Sequence, residues 1–300
     1  MAAVPSPEVH GPKPPWLKIR LLTGGNFQDV HRMMRGLGLH TVCEEARCPN
    51  IYECWGDRTA TFMILGDICT RRCGFCAVTT GRPLPGVDAS EPARVAEAVA
   101  HLGLDHAVIT SVDRDDLPDG GAAHFAAVIR AIRERNPGCE VEVLTPDFRG
   151  ASRPLEVILP AGPVVFSHNV ETVPALYTAV RPGSRFERSV GLLREAVLWR
   201  GGAARPLVKT GLMLGLGESR DDLLETFGVL ARAGVEILTL GQYLRPTLGH
   251  LPVRRYVHPD EFAAIRDEAL RLGFLHVEAG PLVRSSYHAR RHARAAKPAP

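Results

Sequence analysis

Thr59-Ala-Thr-Phe-Met-Ile-Leu-Gly66 is an apolar, β-prone run closed by glycine, and Cys69-Thr-Arg-Arg-Cys-Gly-Phe-Cys76 follows it almost at once. The first reads as a strand and the second as the loop leaving its C-terminal end. Cys69, Cys73 and Cys76 have Cys-x3-Cys-x2-Cys spacing. Three thiolates do not close a tetrahedral zinc site without a fourth partner, but they can hold three irons of a cubane iron–sulfur cluster and leave one iron open. Just upstream, Cys43, Cys48 and Cys54 form a second triplet with Cys-x4-Cys-x5-Cys spacing, so six of the seven cysteines fall within residues 43–76. Such crowding, behind a Pro-rich N-terminus without a charged-then-apolar leader pattern, favours metal binding in a reducing compartment over a disulfide framework. It predicts a cytoplasmic protein.

Outward from this stretch the pattern alternates. Apolar strands are expected at residues 107–112, 140–144, 163–167, 207–214, 236–240 and 276–278, and helices at 92–102, 122–135, 185–200, 221–233 and 259–272. Helix 185–200 is expected to bury Val190, Leu193, Val197 and Leu198. About six βα units between residues 59 and 273 indicate a parallel sheet. No nucleotide-type glycine fingerprint marks the first turn, so the expected fold class is α/β, a partial (β/α)6 TIM-type barrel with its chemistry at the C-terminal ends of the strands. The expected organisation is a disordered arm at 1–15, which holds five prolines, an N-terminal extension at 16–58, the barrel at 59–280 and a C-terminal extension at 281–300. Residues 290–300, basic and rich in Ala and Pro, read as a frayed tail. Thirty-six basic against 33 acidic residues give a charge of +3. That is too balanced for a nucleic-acid surface, and no run of about 18 apolar residues predicts a membrane span.

Cys-x3-Cys-x2-Cys directly after a strand, with Phe75 before the last cysteine, resembles the signature of the radical S-adenosylmethionine (SAM) superfamily. The resemblance implies a 4Fe–4S cluster on Cys69, Cys73 and Cys76 whose open iron chelates the methionine part of SAM. Electron transfer then releases a 5′-deoxyadenosyl radical, the cofactors carrying the hard chemistry. Gly211-Leu-Met-Leu-Gly-Leu-Gly-Glu218, at the end of an expected strand, resembles the superfamily's Gly-x-Ile-x-Gly-x-x-Glu stretch against adenine; a strand-to-helix glycine turn is the plain alternative. Where many members have Gly-Gly-Glu, this chain has Thr110-Ser-Val-Asp-Arg-Asp-Asp116. That leaves open which oxygen meets the methionine amine.

The stretch from Cys43 through Trp55, joined to Thr59–Gly66 and the second triplet, closely resembles the lipoyl synthase family. The likeness continues through Asp113–Leu117, His168–Thr172, Val180–Pro182, Gly211–Glu218, Gln242–Pro246 and Arg284-Ser-Ser-Tyr-His288. It implies a second, auxiliary 4Fe–4S cluster on Cys43, Cys48, Cys54 and Ser286. The implied reaction inserts two sulfur atoms at carbons 6 and 8 of an octanoyl chain, with the auxiliary cluster as sulfur donor and two SAM consumed. The chain is carried on a lysine of a lipoyl carrier protein, namely an acyltransferase subunit of a 2-oxoacid dehydrogenase or the glycine-cleavage carrier protein. A ferredoxin or flavodoxin supplies electrons, and a monomer suits a protein-bound substrate.

The remaining candidates are weighed against plainer roles. Asn169 and Glu171 follow an expected strand and point to SAM or substrate contact, with helix capping at Thr172 the competitor. Arg181 is a candidate for the substrate or a carboxylate. Lys209, charged inside an apolar strand, needs a partner and is a weak candidate for the SAM carboxylate. Phe75, Gly211, Met213 and Gly215 complete the expected cofactor contacts. Arg71 and Arg72 read as solvated or as tuning the cluster. Cys139 reads as an inert small residue, and no plausible helix carries a metal-type histidine spacing. The rivals are a biotin-synthase-like enzyme acting on a free small molecule and a binding module with two zinc sites.

Overall fold

The computed structural model describes residues 12–201 and 205–296; residues 1–11 of the expected arm at 1–15 and residues 297–300 of the expected tail at 290–300 lie outside the described residues. The N-terminal segment runs through a single turn at Pro15–Leu17, α1 (Gly25–Gly36), β1 (His40–Thr41), α2 (Val42–Glu45) and α3 (Ile51–Gly56). There follow β2 (Thr61–Ile64), the short pair β3 (Ile68–Cys69) and β4 (Thr79–Thr80), α4 (Glu91–Leu102), β5 (His106–Ser111), α5 (Ala122–Arg135), β6 (Glu140–Leu144) and α6 (Arg153–Ile158). The second half is β7 (Val165–Ser167), α7 (Tyr177–Val180), α8 (Phe186–Val197), β8 (Leu207–Leu214), α9 (Arg220–Arg232), β9 (Ile237–Gln242), α10 (Pro259–Arg271), β10 (His276–Gly280) and α11 (Ala289–Ala296).

Eight strands form one sheet in the order β1-β2-β5-β6-β7-β8-β9-β10. Only β1 runs antiparallel, to β2; every other neighbour pair is parallel. Six strand–helix units and a last strand thus make an open, partial (β/α)6 barrel. Parallel strands covered on both faces must be apolar almost throughout, and β9 is buried at every residue. The connecting helices carry local stop and start signals. α4 ends at Gly103 in the left-handed region (φ 65°), and α9 starts with a capping box between Ser219 and Asp222. α11 packs against β10 and also against β5, across the open side of the sheet.

Two expectations are corrected. α8 buries Leu193 together with Phe186, Ser189, Leu192 and Ala196, and Val190 and Val197 pack half-buried against the core, whereas Leu198 is 57% exposed. The stripe is rotated because the buried Ser189 hydroxyl meets Tyr177 Oη at 2.8 Å and His168 Nε2 at 2.9 Å. The expected frayed tail is helical over Ala289–Ala296, with Ala289, His292, Ala293 and Ala296 buried on one face.

Candidate active site

The C-terminal ends of the strands open into one cavity of ≈ 330 Å³. All six clustered cysteines line it, together with Phe75, Ser111, Asp113, Asn169, Glu171, Arg181, Gly211, Met213, Arg284, Ser285 and Ser286. Of the expected cluster, cofactor and substrate residues, Lys209 and Gly215 do not line it.

The loop bearing Cys69, Cys73 and Cys76 is fixed by bonds to the ends of neighbouring elements. Thr70 donates through N and Oγ1 to Asp113 O (3.0 and 2.9 Å). Gly74 N donates to Val180 O and Leu251 N donates to Gly74 O, both at 2.9 Å. A Cβ on Gly74 would lie 2.9 Å from the Leu251 side chain and 3.2 Å from Ala179 O, so this close approach requires glycine. Arg71 corrects the expectation of solvent exposure: it is buried and meets Asp115 and Asp147 at 2.7 Å and Asp113 at 3.4 Å. One guanidinium thereby joins the cluster loop to the ends of β5 and β6. Burial alone would raise the Asp147 carboxyl, but Arg71 holds it down at about 2. At Asp113 burial wins and the carboxyl is raised despite Arg71 and Arg181.

The first triplet sits on α2, the following loop and α3. Thr41 caps α2 by accepting from Glu44 N at 3.3 Å. Two long-range bonds join this segment to the C-terminal one: Asn50 Nδ2 donates to Leu282 O at 2.7 Å and Tyr287 Oη to Glu53 Oε1 at 2.8 Å. They bring Ser286 to the cavity that Cys43, Cys48 and Cys54 also line. Sequence reasoning named the triplet and the serine but neither bond, because each joins residues more than 200 positions apart.

Every clustered thiol is raised by burial, Cys43 and Cys73 to about 12 and Cys76 to about 11. Neighbouring thiols raise Cys54 further. Such groups become thiolates only against a cation, and a soft metal centre is the partner this donor set suits.

Between the triplets, Asn169 Nδ2 donates to Ser285 Oγ at 2.6 Å, while Asn169 Oδ1 has no partner among the described residues. Buried Arg181 donates to Asn169 O (2.8 Å) and Tyr177 Oη (3.0 Å), leaving Nε unpartnered. Glu171 takes φ 67° and its carboxyl is raised by burial. A Cβ on Gly211 would stand 2.6 Å from Thr239 Oγ1 and 2.9 Å from Asn169 Oδ1, so glycine keeps these groups together.

Three expectations change. Lys209 is fully buried below the cavity, with Nζ 2.8 Å from Glu142 Oε1, so its charge is committed inside the barrel. Gly215 (φ 97°) serves the turn after β8, where the Glu218 carboxylate accepts from the backbone N–H of Gly215, Leu216 and Gly217 at 2.6, 2.9 and 3.1 Å. Asp115 and Asp116 are paired with Arg71 and Arg114. The oxygens on the cavity wall at the end of β5 are those of Ser111, whose Oγ is unpartnered, and of Asp113, which Arg71 meets only at 3.4 Å.

Comparison with known proteins agrees with this geometry. Residues 63–230 match the model of the radical SAM superfamily, and residues 8–48 match that of the N-terminal domain of lipoyl synthase. Lipoyl synthase from Rubrobacter xylanophilus is 58% identical over 280 residues, covering 93% of this chain and 86% of the relative. This chain belongs to the lipoyl synthase family. The family's enzymes from Koribacter versatilis and Thermus thermophilus are 54% and 56% identical, covering 97% and 93% of this chain and 94% and 86% of theirs. The barrel is similar to that of methylornithine synthase, with TM-score 0.54, 14% identity and 87% and 84% of the two chains covered; this shows the fold alone. As a member of the lipoyl synthase family the protein is a radical SAM sulfurtransferase of lipoate biosynthesis, with a 4Fe–4S cluster and SAM as cofactors. The site fits both. Cysteine thiols line the cavity for a cluster, and the unpartnered atoms of Ser111, Asn169 and Arg181 offer polar contacts for an amino acid moiety. Among the described residues, no helix is long and apolar enough to cross a membrane.

Proposed function

We propose that the chain holds two 4Fe–4S clusters, one on Cys69, Cys73 and Cys76 and an auxiliary one on Cys43, Cys48, Cys54 and Ser286, and inserts two sulfur atoms at carbons 6 and 8 of a carrier-bound octanoyl chain. The observation that carries this reading is that both triplets and Ser286 line one cavity. When bound, these groups and SAM supply hydrogen abstraction from unactivated carbon and a source of sulfide. The chain's own residues hold, orient and shield.

Ser111 and Asp113 accept the SAM amine, and Arg181 and Asn169 meet its carboxylate side. Glu171, Gly211 and Met213 shape the wall beside it, and Phe75 packs with Met213 and Leu216 around the cluster loop. Ser286 offers a harder donor than thiolate, which suits a position that must be released as sulfide leaves. Arg284, half-buried beside Cys48 and Glu171, neutralises thiolate charge there. The substrate is an octanoylated lysine on a lipoyl carrier domain, as on acyltransferase subunits of 2-oxoacid dehydrogenases or the glycine-cleavage carrier protein, which Arg181 helps to seat. A ferredoxin or flavodoxin supplies electrons to a monomeric, cytoplasmic enzyme. The functional division is an N-terminal extension at 16–58, a barrel at 59–280 and a C-terminal extension at 281–300.

Variants Cys48→Ala and Cys73→Ala test the division of labour in the anaerobically reduced protein. Cys48→Ala is expected to retain 5′-deoxyadenosine formation and lose sulfur insertion, whereas Cys73→Ala loses both. Identical behaviour of the two would refute separate roles for the triplets.

A further inference from the structure

Away from the cavity, the described residues hold another cluster of ligating side chains: His276 and Glu278 on β10 and His292 on α11. None lines the cavity and the proposed chemistry uses none of them. His276 and Glu278 are two apart on a strand and therefore share a face. α11 lays His292, 0% exposed, against that face.

Glu278 Oε2 stands 3.5 Å from His276 Nε2 and 3.5 Å from His292 Nε2, and the three ligand atoms lie within 4.8 Å of one another. Neither ring nitrogen of His292, nor Nε2 of His276, has a hydrogen-bond partner among the described residues. Leaving a buried polar group unpaired costs roughly 1–3 kcal/mol, so a fully buried imidazole whose Nδ1 is unpartnered and whose Nε2 meets only Glu278 at 3.5 Å points to a ligand. Nitrogen and oxygen donors about 2.0–2.2 Å from a tetrahedral zinc ion stand roughly 3.3–3.5 Å apart. Two of the three edges already have that spacing, and the third is within 4.8 Å.

We propose that His276, Glu278 and His292 bind one divalent transition-metal ion of the zinc type, with water completing the coordination. Two imidazoles and a carboxylate suit such an ion, and zinc binds nitrogen–oxygen sites more tightly than iron(II) does. The ion cross-links β10 to α11 and so pins both ends of the segment 279–291, which includes Arg284–Tyr287. It acts as a structural clamp, and the site stands whether or not Ser286 is a cluster ligand. Sequence spacing pointed away from a histidine metal site because the two histidines belong to different elements and the residues after 289 read as a tail.

The test uses the full-length, cluster-loaded protein as wild type, Glu278→Gln and His292→Ala. Each is treated with chelator, incubated with zinc, desalted and weighed by native mass spectrometry, with elemental analysis. The wild type is expected to keep one zinc per chain more than either variant. Zinc is also expected to slow backbone hydrogen exchange over residues 289–296 in the wild type alone. Equal zinc in wild type and Glu278→Gln, or no zinc retained by the wild type, would overturn the proposal. Should both variants fail to fold, zinc-edge X-ray absorption of the wild type decides. Nitrogen and oxygen neighbours near about 2.0–2.1 Å support the site, and sulfur near about 2.3 Å places the ion on cysteines and refutes it.

Discussion

Replacing Arg71 by Met keeps most of the side-chain volume and removes the charge that anchors the cluster loop. Arg71 is 8% exposed and contacts three carboxylates, of which Asp147 is 0% exposed. Asp147 sits at about 2 in the fold against 3.8 for a free carboxyl, a shift equivalent to about 2 kcal/mol at 1.36 kcal/mol per pKa unit. Because the folded value is depressed, that contribution is complete above pH 3.8 and is lost as the pH falls through about 2. At neutral pH the variant forfeits it, leaves half-buried Asp113 without its nearest guanidinium and leaves buried Asp147 with only Arg188 at 3.3 Å. Breaking a buried pair in this way costs roughly 3–5 kcal/mol. For a chain of this size that lowers the thermal midpoint by about 5–8 °C. The strain falls on residues 69–76, so the cluster proposed on Cys69, Cys73 and Cys76 is expected to be lost preferentially. The assay is iron per chain after anaerobic purification, with 5′-deoxyadenosine formation and the apparent melting midpoint; exposed Arg72→Met serves as control. Wild-type iron and a midpoint within about 1 °C would refute the anchoring role, since a shift that small corresponds to well under about 1 kcal/mol.

Two further perturbations probe the barrel beneath the site and the cavity wall. Lys209→Met strands Glu142: burial tends to raise that carboxyl, and Lys209 together with His106 holds it down at about 2. In the wild type the Glu142 contribution is therefore present above pH 4.5 and lost as pH falls through about 2. In Lys209→Met burial prevails and the penalty grows with pH. Unfolding by denaturant is expected to show a larger deficit at pH 8 than at pH 6, about 3–5 kcal/mol once Glu142 is ionised, and Lys209→Met with Glu142→Leu to recover most of it. A deficit independent of pH contradicts this. Gly211→Ala drives a methyl against Thr239 Oγ1 and Asn169 Oδ1; overpacking is expected to lower stability by about 1–3 kcal/mol and, by displacing Asn169 from the cavity wall, to weaken SAM binding. Equilibrium binding of SAM that matches wild type argues against the contact.

The strand series and the place of the second triplet were legible because parallel strands are apolar runs and the cysteine loop follows one directly. Lys209 announced that it needed a partner, and Glu142, another charge inside an apolar strand, is that partner. Its location below the cavity depends on strand pairing, which local sequence does not encode. Ser189 misled the reading of α8, since a buried serine satisfied by Tyr177 and His168 looks polar in a hydrophobicity pattern. α11 was missed for a related reason: its buried face is three alanines and a histidine. Arg71 reads as a loop arginine until three aspartates from the loops after β5 and β6 converge on it.

The central claim is tested most directly by mass spectrometry of an octanoylated carrier peptide incubated with the reduced, cluster-loaded protein and SAM. The account predicts a peptide bearing a dithiolane, with two 5′-deoxyadenosine formed for each lipoyl group. Formation of 5′-deoxyadenosine with no mass gain on the peptide would contradict it.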